Sequence, residues 1–208
     1  MTEVWTRENP RTLTPRRALE ILKEGHRRFR ANVRKNRDLR AQRKRTVGGQ
    51  FPFAFILSCI DSRTPPELIF DLGIGEVFTA RVAGHVLNED ILGSMEFACQ
   101  VVGTPLIVVL GHTRCGAIKG ACEGVELGHL TQLVRKIAPA REAVCREHGV
   151  DRITAPELID RVAERHVLEV VREIPERSAL LRRRLVQGRM AVVGAMYELE
   201  TGQVRFLN

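Results

Sequence analysis

The sequence predicts an α/β protein: a central, mainly parallel β-sheet flanked by helices, with an N-terminal helical arm and a C-terminal antiparallel hairpin. Short, uniformly apolar runs indicate strands that are buried on both faces. These runs alternate with helical patterns, as they do in parallel sheets. Of the 208 residues, 44% are hydrophobic and 28% are charged, which is typical of a folded domain with its own core. We predict a single domain over residues 1–208, with the arm and first helix in 1–46 and the core in 50–208.

The first helix is predicted by its cap and by its apolar spacing. Residues 1–13 are polar and are interrupted by Pro10, so we expect them to lie along a surface. Thr14 followed by Pro15 is typical of an N-cap and the first position of a helix. Apolar residues then recur at helical spacing to about residue 33, namely Ala18, Leu19, Leu22 and Phe29.

Residues 27–45 are rich in arginine and lysine, in a chain whose net charge is +8. Such a charge run is usually the solvated face of a helix and the loop that follows it. Nucleic-acid binding is the alternative, but the run lacks an interleaved set of aromatic side chains on which bases would stack. We therefore expect no nucleic-acid partner.

The rest of the chain alternates between strand and helix patterns. Predicted strands cover residues 53–58, 77–82, 105–110 and 191–197, and a turn at Thr201 and Gly202 leads into a hairpin strand over 204–206. Predicted helices cover residues 65–73, 89–102, 115–122, 131–147 and 157–186, the last with a break at Pro175. In sheets of this kind, functional sites gather at the carboxyl ends of the strands.

Composition also bears on the compartment in which the protein works. No window approaches the roughly eighteen uninterrupted apolar residues of a membrane span, and the first residues offer no apolar signal segment. The five cysteines are an odd number, which argues against a disulfide framework. We therefore expect a cytoplasmic protein with reduced thiols and no membrane partner, in which Cys99 and Cys145 pack as apolar side chains.

Two predicted strand ends carry residues with metal-binding chemistry. The first strand continues as Ser58-Cys59-Ile60-Asp61-Ser62-Arg63, and the third as Gly111-His112-Thr113-Arg114-Cys115-Gly116. Thiolate and imidazole are favoured zinc ligands, and three of them with an open fourth position are the pattern of a catalytic zinc. Cys59, His112 and Cys115 could supply that set, with Asp61 as the candidate for a fourth ligand. Taken singly, the cysteines fit packing residues, and Asp61-Ser62-Arg63 fits a capping turn with a surface ion pair.

The two motifs together, C-x-D-S-R after one buried strand and H-x-x-C-G after another, resemble the signatures of the beta-class carbonic anhydrases. Family-like segments also include Pro65-Pro66-Glu67, Arg81-Val82-Ala83-Gly84 and Gly93-Ser94-Met95-Glu96. The resemblance extends from residues 22–29 to residues 193–202, and so it covers nearly the whole chain. It implies a zinc-dependent carbonate dehydratase, an enzyme that reversibly hydrates carbon dioxide to bicarbonate and a proton.

The resemblance also implies roles for individual residues. Cys59, His112 and Cys115 would hold one Zn2+ per subunit, and Asp61 with Arg63 would form the catalytic dyad that orients zinc-bound hydroxide toward carbon dioxide. In some members of the family the matching aspartate instead binds the metal and closes the site, and both states stay open for this chain. Since two thiolates leave the metal less acidic than three imidazoles would, we expect activity to rise toward alkaline pH.

Four further residues match positions that bind substrate in the family. Gln50 would donate to a substrate oxygen, although it also fits a polar residue at the end of a loop. The backbone N–H of Gly116 would stabilise developing bicarbonate charge. Phe78 and Ala83 would line an apolar wall around carbon dioxide that is contributed across a dimer interface, and a core role for Phe78 is compatible with this.

The remaining histidines and aromatic residues give weaker signals. His85 stands where relatives commonly have asparagine; it is either a proton carrier near the cleft or, as we expect, a structural hydrogen-bonding residue. His26 is also predicted to be structural. Bicarbonate regulation in the family uses a tryptophan and a tyrosine near the cleft; with only Trp5 and Tyr197 available, we expect it to be absent or altered. Three histidines in charged helical segments are predicted to be exposed: His129, His148 and His166.

Two alternatives to the carbonic anhydrase function stay open from the sequence. A carbonyl sulfide or carbon disulfide hydrolase shares the fold and the ligand set, and access to the site would decide between the substrates. A non-catalytic zinc- or bicarbonate-binding protein would have Asp61 locked on the metal. The family also implies a homodimer or a dimer of dimers, in which the first helix embraces the partner subunit.

Overall fold

The computed structural model describes residues 13–207, in which five strands form one mainly parallel sheet. The strand order is β2-β1-β3-β4-β5; the first four strands run parallel to one another, and β5 runs antiparallel to β4. The predicted fold class, including the C-terminal antiparallel hairpin, is confirmed. The strands are β1 (Ala54–Ser58), β2 (Val77–Arg81), β3 (Leu106–His112), β4 (Ala191–Tyr197) and β5 (Val204–Leu207).

Helices cover both faces of the sheet. A 3-10 turn at Ala83–His85 follows β2, and a π-helical segment, Phe97–Val102, continues α4. Within residues 13–207, no helix is both long enough and apolar enough to cross a membrane. The helices are α1 (Pro15–Arg30), α2 (Leu39–Arg45), α3 (Pro66–Ile69), α4 (Glu89–Glu96), α5 (Gly116–Glu123), α6 (Gly128–Arg135), α7 (Ala138–His148), α8 (Pro156–Arg177) and α9 (Ala179–Val186).

The sheet is the centre of two apolar layers, because successive side chains of a strand point to opposite faces. On one face, Leu57 and Val109 belong to a buried cluster with residues of α4 to α9. On the other face, Ile56 and Val108 pack in a cluster with residues of α1 and α3. Every position of β1 and β3 is buried, as the uniformly apolar runs predicted.

The register between β1 and β3 brings the two sequence motifs to one edge of the sheet. Ser58, the last residue of β1, pairs with Leu110. β3 continues beyond its predicted end, because His112 extends the ladder by pairing with Tyr197 of β4. Cys59 and His112 therefore leave the sheet side by side at its carboxyl edge.

The first helix begins as predicted, with Thr14 as its N-cap; the polar residues 1–12 of the predicted arm lie outside the described residues. The predicted break at Pro175 is wrong. α8 continues through Pro175 to Arg177, and the chain leaves the helix at Ser178, whose backbone is extended. Because Pro175 lies in the last turn, its missing N–H costs the helix a single hydrogen bond.

The basic segment is only partly solvated. It contains helix α2, capped by Asp38, which the sequence did not predict. Arg28 and Arg37 turn inward and bind the buried carboxylate of Asp71, at 2.5 Å and 2.6 Å. We call these three residues the Asp71 cluster. It anchors the basic segment to the loop after α3.

Candidate metal centre

Three buried side chains with good metal-binding atoms converge at the carboxyl edge of the sheet. Cys59 follows β1, His112 ends β3, and Cys115 is the N-cap residue of α5. One donor atom from each residue lies within 4.8 Å of the other two. All three residues are almost inaccessible to solvent. We call this group the metal centre.

The donor atoms fit one zinc ion. Two thiolates bound to the same tetrahedral Zn2+ at about 2.3 Å would lie about 3.8 Å apart. The Sγ atoms of Cys59 and Cys115 are 3.8 Å apart. Nδ1 of His112 donates to the carbonyl of Thr113 at 2.9 Å, since a carbonyl can only accept. Nε2 of His112 is then left with its lone pair, and it is buried without a hydrogen-bond partner among residues 13–207.

The sulfurs of Cys59 and Cys115 contact each other, and this contact moves the pKa values of the two thiols in opposite directions. A hydrogen bond from the thiol of Cys115 lowers the pKa of Cys59, and the backbone N–H of Gly84, 3.4 Å from Sγ, supports the thiolate further. The same contact with Cys59 raises the pKa of Cys115. A bound divalent cation deprotonates a coordinating thiol outright, so a metal at this position would bind both sulfurs as thiolates.

Asp61 and Arg63 lie beside the metal centre as a paired dyad. Arg63 donates from Nε to Oδ1 of Asp61 at 2.9 Å and from Nη2 to Oδ2 at 2.7 Å. Hydrogen bonds from the Arg63 side chain lower the pKa of Asp61 to about 2, so the carboxylate is ionised in neutral solution. Oδ2 of Asp61 is 3.9 Å from Nε2 of His112, and this oxygen therefore faces the metal centre.

Two neighbouring residues fix the loop that carries Cys59 and Asp61. Arg81, at the end of β2, donates to the backbone carbonyls of Cys59 at 2.9 Å and of Asp61 at 2.6 Å. Gly84 adopts a left-handed backbone, φ +63°, and a Cβ there would come within 2.9 Å of the Ile137 side chain. Only glycine makes this turn easily, and the turn aims its N–H at the sulfur of Cys59.

The loop from His112 to Cys115 is fixed from two sides. On the side of β4, the N–H of Thr113 donates to the carbonyl of Tyr197, and Oγ1 of Thr113 accepts from the N–H of Leu199, both at 3.0 Å. On the side of α8, the N–H of Arg114 donates to Oδ1 of Asp160 at 2.7 Å. Asp160 could not be identified from the sequence, because an acidic residue on a charged helix has no local pattern that marks this contact.

Two predicted substrate-binding residues lie at the metal centre of their own chain. Gly116 is the first residue of α5, directly after Cys115, and it is exposed. Ala83 begins the turn that places Gly84 against Cys59. The position of Gly116 is compatible with its expected contact, whereas Ala83, which was expected to act across a dimer interface, lies beside the metal centre of its own chain. The roles of both residues in binding stay predictions.

Gln50 and Phe78 lie elsewhere in the chain. Gln50 precedes β1 whereas Cys59 follows it, so the length of a strand separates the two. Phe78 pairs with Phe55 in the first half of β2, and it packs edge-on against Phe97 with ring centroids 6.2 Å apart. Neither residue is brought to the metal centre of its own chain, so any contact with substrate would require a second subunit.

The histidine predictions were partly right. His26 is structural, with Nε2 accepting from the N–H of Val204 at 2.9 Å, and His129 and His148 are exposed. The prediction that His166 is exposed is wrong, because only 3% of it is accessible. It lies on the inward face of α8, one turn from the buried Val170.

His85 is completely buried and packs against His166, with ring centroids 4.9 Å apart and ring planes tilted by 38°. Burial lowers the pKa of His85 well below its ordinary value and that of His166 to about 4. The interpretation of His85 as a proton carrier at the cleft is therefore not supported. The structural hydrogen bond that we expected is also not found, since neither ring nitrogen of His85 has a partner among residues 13–207.

The other expectations concern cysteines and aromatic residues. Cys99 is buried as predicted, and Cys145 is only partly buried. Burial raises the pKa of Cys99 to about 12, so it stays a thiol. Of the two residues considered for bicarbonate regulation, Tyr197 is buried at the end of β4, and Trp5 lies outside the described residues.

Comparison with known proteins gives one consistent family. The family model described as "Carbonic anhydrase" matches residues 54–204, which include every residue of the metal centre and the dyad. Carbonic anhydrase 2 of Mycobacterium tuberculosis is 37% identical over 195 residues, covering 91% of this chain and 91% of that protein.

Solved structures agree with the sequence comparison. The beta-carbonic anhydrase CafA of Aspergillus fumigatus superimposes with a TM-score of 0.71 at 27% identity, over 92% of this chain and 89% of that one. A structure from a study of two tetrameric beta-carbonic anhydrases of Sordaria macrospora has a TM-score of 0.72 at 22% identity, over 79% of this chain and 85% of that one. The second likeness concerns the fold alone.

Proposed function

Because the chain belongs to the beta-carbonic anhydrase family, we propose that it catalyses the reversible hydration of carbon dioxide to bicarbonate and a proton. One observation carries this proposal: a buried Cys59, His112 and Cys115 cluster of zinc-binding geometry with an ionised aspartate facing it. Asp61 and Arg63 are the proposed catalytic pair.

Cys59, His112 and Cys115 would hold one Zn2+ per subunit. When bound, such an ion supplies the Lewis acidity that brings the pKa of water from about 15.7 toward neutrality. His112 would bind through Nε2, because its Nδ1–H is already committed to the carbonyl of Thr113. The two thiolates would neutralise much of the charge of the cation, so we expect activity to rise toward alkaline pH.

Asp61 would orient the attacking oxygen. Its Oδ1 accepts two hydrogen bonds from Arg63, whereas Oδ2 accepts one from Arg63 and faces His112. Oδ2 therefore keeps acceptor capacity toward the metal centre, where it would accept the hydrogen of the attacking oxygen and aim a lone pair at the carbon of carbon dioxide. Since both carboxylate oxygens are bound by Arg63, we propose the open state, in which a fourth coordination position stays accessible to water.

Gly116 would stabilise the product anion. It is the first residue of α5, and the first N–H groups of a helix have no partner within that helix. These groups carry partial positive charge, which favours a negatively charged oxygen. A Cβ at Gly116 would meet no other atom within 4 Å, so there is room for substrate beside the backbone.

We further propose a homodimer, or a dimer of dimers, in which Gln50 and Phe78 serve the metal centre of the partner subunit. An open groove of about 630 Å3 lies along the edge strand β2 and is lined by Phe55, Phe78 and Phe97. The tetrameric relatives from Sordaria macrospora support assembly in this fold. In sedimentation velocity, we expect at least twice the 23.4 kDa of one chain; an active monomer would contradict this.

A reducing compartment, the cytoplasm, is the proposed location. The metal centre needs two free thiols, and all five cysteines are free. With Sγ atoms 3.8 Å apart, Cys59 and Cys115 would be prone to form a disulfide under oxidising conditions, and zinc would then lose two ligands.

The alternative hydrolase of carbonyl sulfide or carbon disulfide is not favoured, since the relatives reported above are carbonic anhydrases. A zinc-binding protein without activity is not favoured either, because Asp61 is bound to Arg63. Asp61 is therefore not committed to the metal.

Metal removal tests the proposal directly. Stopped-flow assays should show carbon dioxide hydration by the purified protein, loss of that activity after treatment with a chelator, and recovery with one equivalent of Zn2+ per chain. Full activity in zinc-free protein, or none in protein loaded with one equivalent, would contradict the proposed function. Carbonyl sulfide, assayed side by side, should be turned over much more slowly.

A further inference from the structure

The peptide group between Thr113 and Arg114 is hydrogen-bonded at both ends to side chains. Its carbonyl, which belongs to Thr113, accepts from Nδ1 of His112 at 2.9 Å. Its N–H, which belongs to Arg114, donates to Oδ1 of Asp160 at 2.7 Å. A continuous series therefore runs from the carboxylate of Asp160, through one peptide plane, to the imidazole of the metal centre.

This peptide is held in a backbone conformation that needs support. Arg114 has φ +55°, in the left-handed region that a residue with a Cβ adopts reluctantly. The N–H of Arg114 bonds to a carboxylate and so gains a charge-assisted hydrogen bond. Loss of that acceptor would remove the hydrogen bond on the α8 side of the loop, and the Thr113 carbonyl would then be held less firmly against Nδ1 of His112.

We propose that Asp160 is a positioning residue for His112 and acts through the Thr113–Arg114 peptide. The carboxylate polarises the peptide, and a polarised carbonyl is the better acceptor for the Nδ1–H of His112. That bond fixes the tautomer and the ring orientation, so Nε2 stays directed at the metal. Histidine ligands commonly donate to a carboxylate or a carbonyl; here the carboxylate is one peptide further away. The inference rests on the proposed function, because it assumes a metal at Nε2.

The same loop also touches the dyad. Nη2 of Arg63, which holds Oδ2 of Asp61, lies 3.4 Å from the carbonyl of Arg114 and donates to it. A change in the Arg114 backbone would therefore disturb both a metal ligand and the arginine that orients Asp61. Asp160 lies on α8, a long helix that packs against β3, so the support comes from the rigid part of the fold.

The test uses two variants of Asp160 and a matched control on the same helix. Asp160→Ala removes the acceptor. Asp160→Asn keeps an oxygen that can accept from Arg114 but removes the charge. Glu157→Ala removes an exposed carboxylate one turn earlier in α8, for which residues 13–207 show no hydrogen bond or ion pair to the loop. Each full-length protein is loaded with Zn2+, and release of the metal to a chelator is timed; the Nδ1–H resonance of His112 is recorded by NMR.

Asp160→Ala should release zinc about 10- to 100-fold faster than the wild type, the range found when outer partners of metal ligands are lost. The rate of zinc release from Asp160→Asn should lie between those of the wild type and Asp160→Ala. Its His112 Nδ1–H resonance should shift upfield, because a neutral acceptor polarises the peptide less. Glu157→Ala should match the wild type. A release rate for Asp160→Ala equal to that of Glu157→Ala would overturn the inference.

Two further outcomes are separated by the design. If Asp160→Ala does not fold, Asp160→Asn decides, and an unchanged resonance together with unchanged release overturns the inference. If the wild type itself takes up no Zn2+, the proposed function fails at its first step. If the wild type binds zinc and hydrates carbon dioxide while the Asp160 variants release it normally, only the role of Asp160 is lost.

Discussion

Asp61 and Asp71 are both held by arginine side chains, and they differ in how much of the carboxylate stays available. At Asp71, Oδ1 accepts a hydrogen bond from Arg37, and Oδ2 accepts one from Arg28 and one from the backbone N–H of Lys35. Arg37 also donates to the backbone carbonyl of Asp71. At Asp61, Oδ2 accepts one hydrogen bond, from Arg63, and faces His112.

The two ion pairs also differ in solvent exposure, and the pair at Asp71 is the more enclosed. Arg37 is 8% exposed and the side chain of Asp71 3%, whereas Arg63 is about half exposed. A fully enclosed ion pair has no acceptor capacity left for a ligand, and it makes the fold depend on its partners. A pair at the surface that shares its carboxylate contributes little to stability and can act on a substrate. Similar ion pairs thus stabilise the fold at Asp71 and, as proposed, orient the reacting groups at Asp61.

The largest expected effect separates the two aspartates by activity. Asp61→Asn should lower the rate of carbon dioxide hydration by at least about 100-fold, because a neutral amide accepts the hydrogen bond from the attacking O–H group less well than a carboxylate does. Its melting temperature should stay close to that of the wild type. Stopped-flow assays and thermal unfolding of the same zinc-loaded sample measure both. Near-normal activity in this variant would remove Asp61 from the proposed mechanism.

The second expected effect is a loss of stability at Asp71 without a loss of activity. Asp71→Asn should reduce the free energy of unfolding by about 3 kcal/mol, because the partly buried Arg28 loses its carboxylate partner and the buried Arg37 keeps only the longer contact with Glu76, at 3.7 Å. The molecules that remain folded should keep their turnover rate. Urea unfolding measures the first quantity and active-site-normalised assays the second. Glu20→Gln changes an exposed acid paired with Arg17 on α1; it is the control and should leave the free energy of unfolding close to that of the wild type.

The third effect is a change of stability with pH, which distinguishes these acids from the buried histidines. Burial lowers the pKa of His166 to about 4 in the folded chain. Below about pH 6.5, His166 is therefore protonated in the unfolded chain while it stays neutral in the folded one. Stability is therefore complete above pH 6.5 and falls between pH 6.5 and 4, at up to about 1.4 kcal/mol per pH unit for each such histidine.

Neither aspartate adds to the pH dependence of stability between pH 6.5 and 4, because both stay ionised there. Arginine contacts lower the pKa of Asp61 to about 2 and also lower that of Asp71. Their contribution is present above the ordinary carboxyl pKa and is lost only at more acidic pH. Urea unfolding at a series of pH values should show a shallower slope for His166→Gln and an unchanged slope for the exposed His148→Gln. Equal slopes in all three proteins would show that buried histidines do not govern acid unfolding.

The sheet could be predicted because its strands are short, uniformly apolar and punctuated by helices. The runs around Leu57 and Val109 have no other stable location than the middle of a two-faced layer. Helix α2 could not be predicted in this way, since its only buried residue is Gln42 and it has no apolar face. The error at His166 was avoidable: Val162 and Val170 lie four residues before and after it, which places it on the apolar side of a helix.

The metal centre could be predicted because its residues stand directly at strand ends, where register alone brings them together. Cys59 and His112 needed only two neighbouring parallel strands. Asp160 differs, because its contact with Arg114 spans 46 residues and depends on how α8 crosses the sheet. The same is true of the Asp71 cluster, in which the partners are more than thirty residues apart. Such contacts follow from packing and leave no periodic trace in the sequence.

The dependence of Thr113 on β4 sets the order in which the protein matures. Thr113 and Leu199, which hold each other, are 86 residues apart, and β4 is also the neighbour that completes β3. On the ribosome, both cysteines and the histidine emerge well before the segment that fixes their loop. Binding of zinc as proposed would therefore come late in biogenesis, after residues 191–199 have joined the sheet and fixed the loop that carries His112 and Cys115.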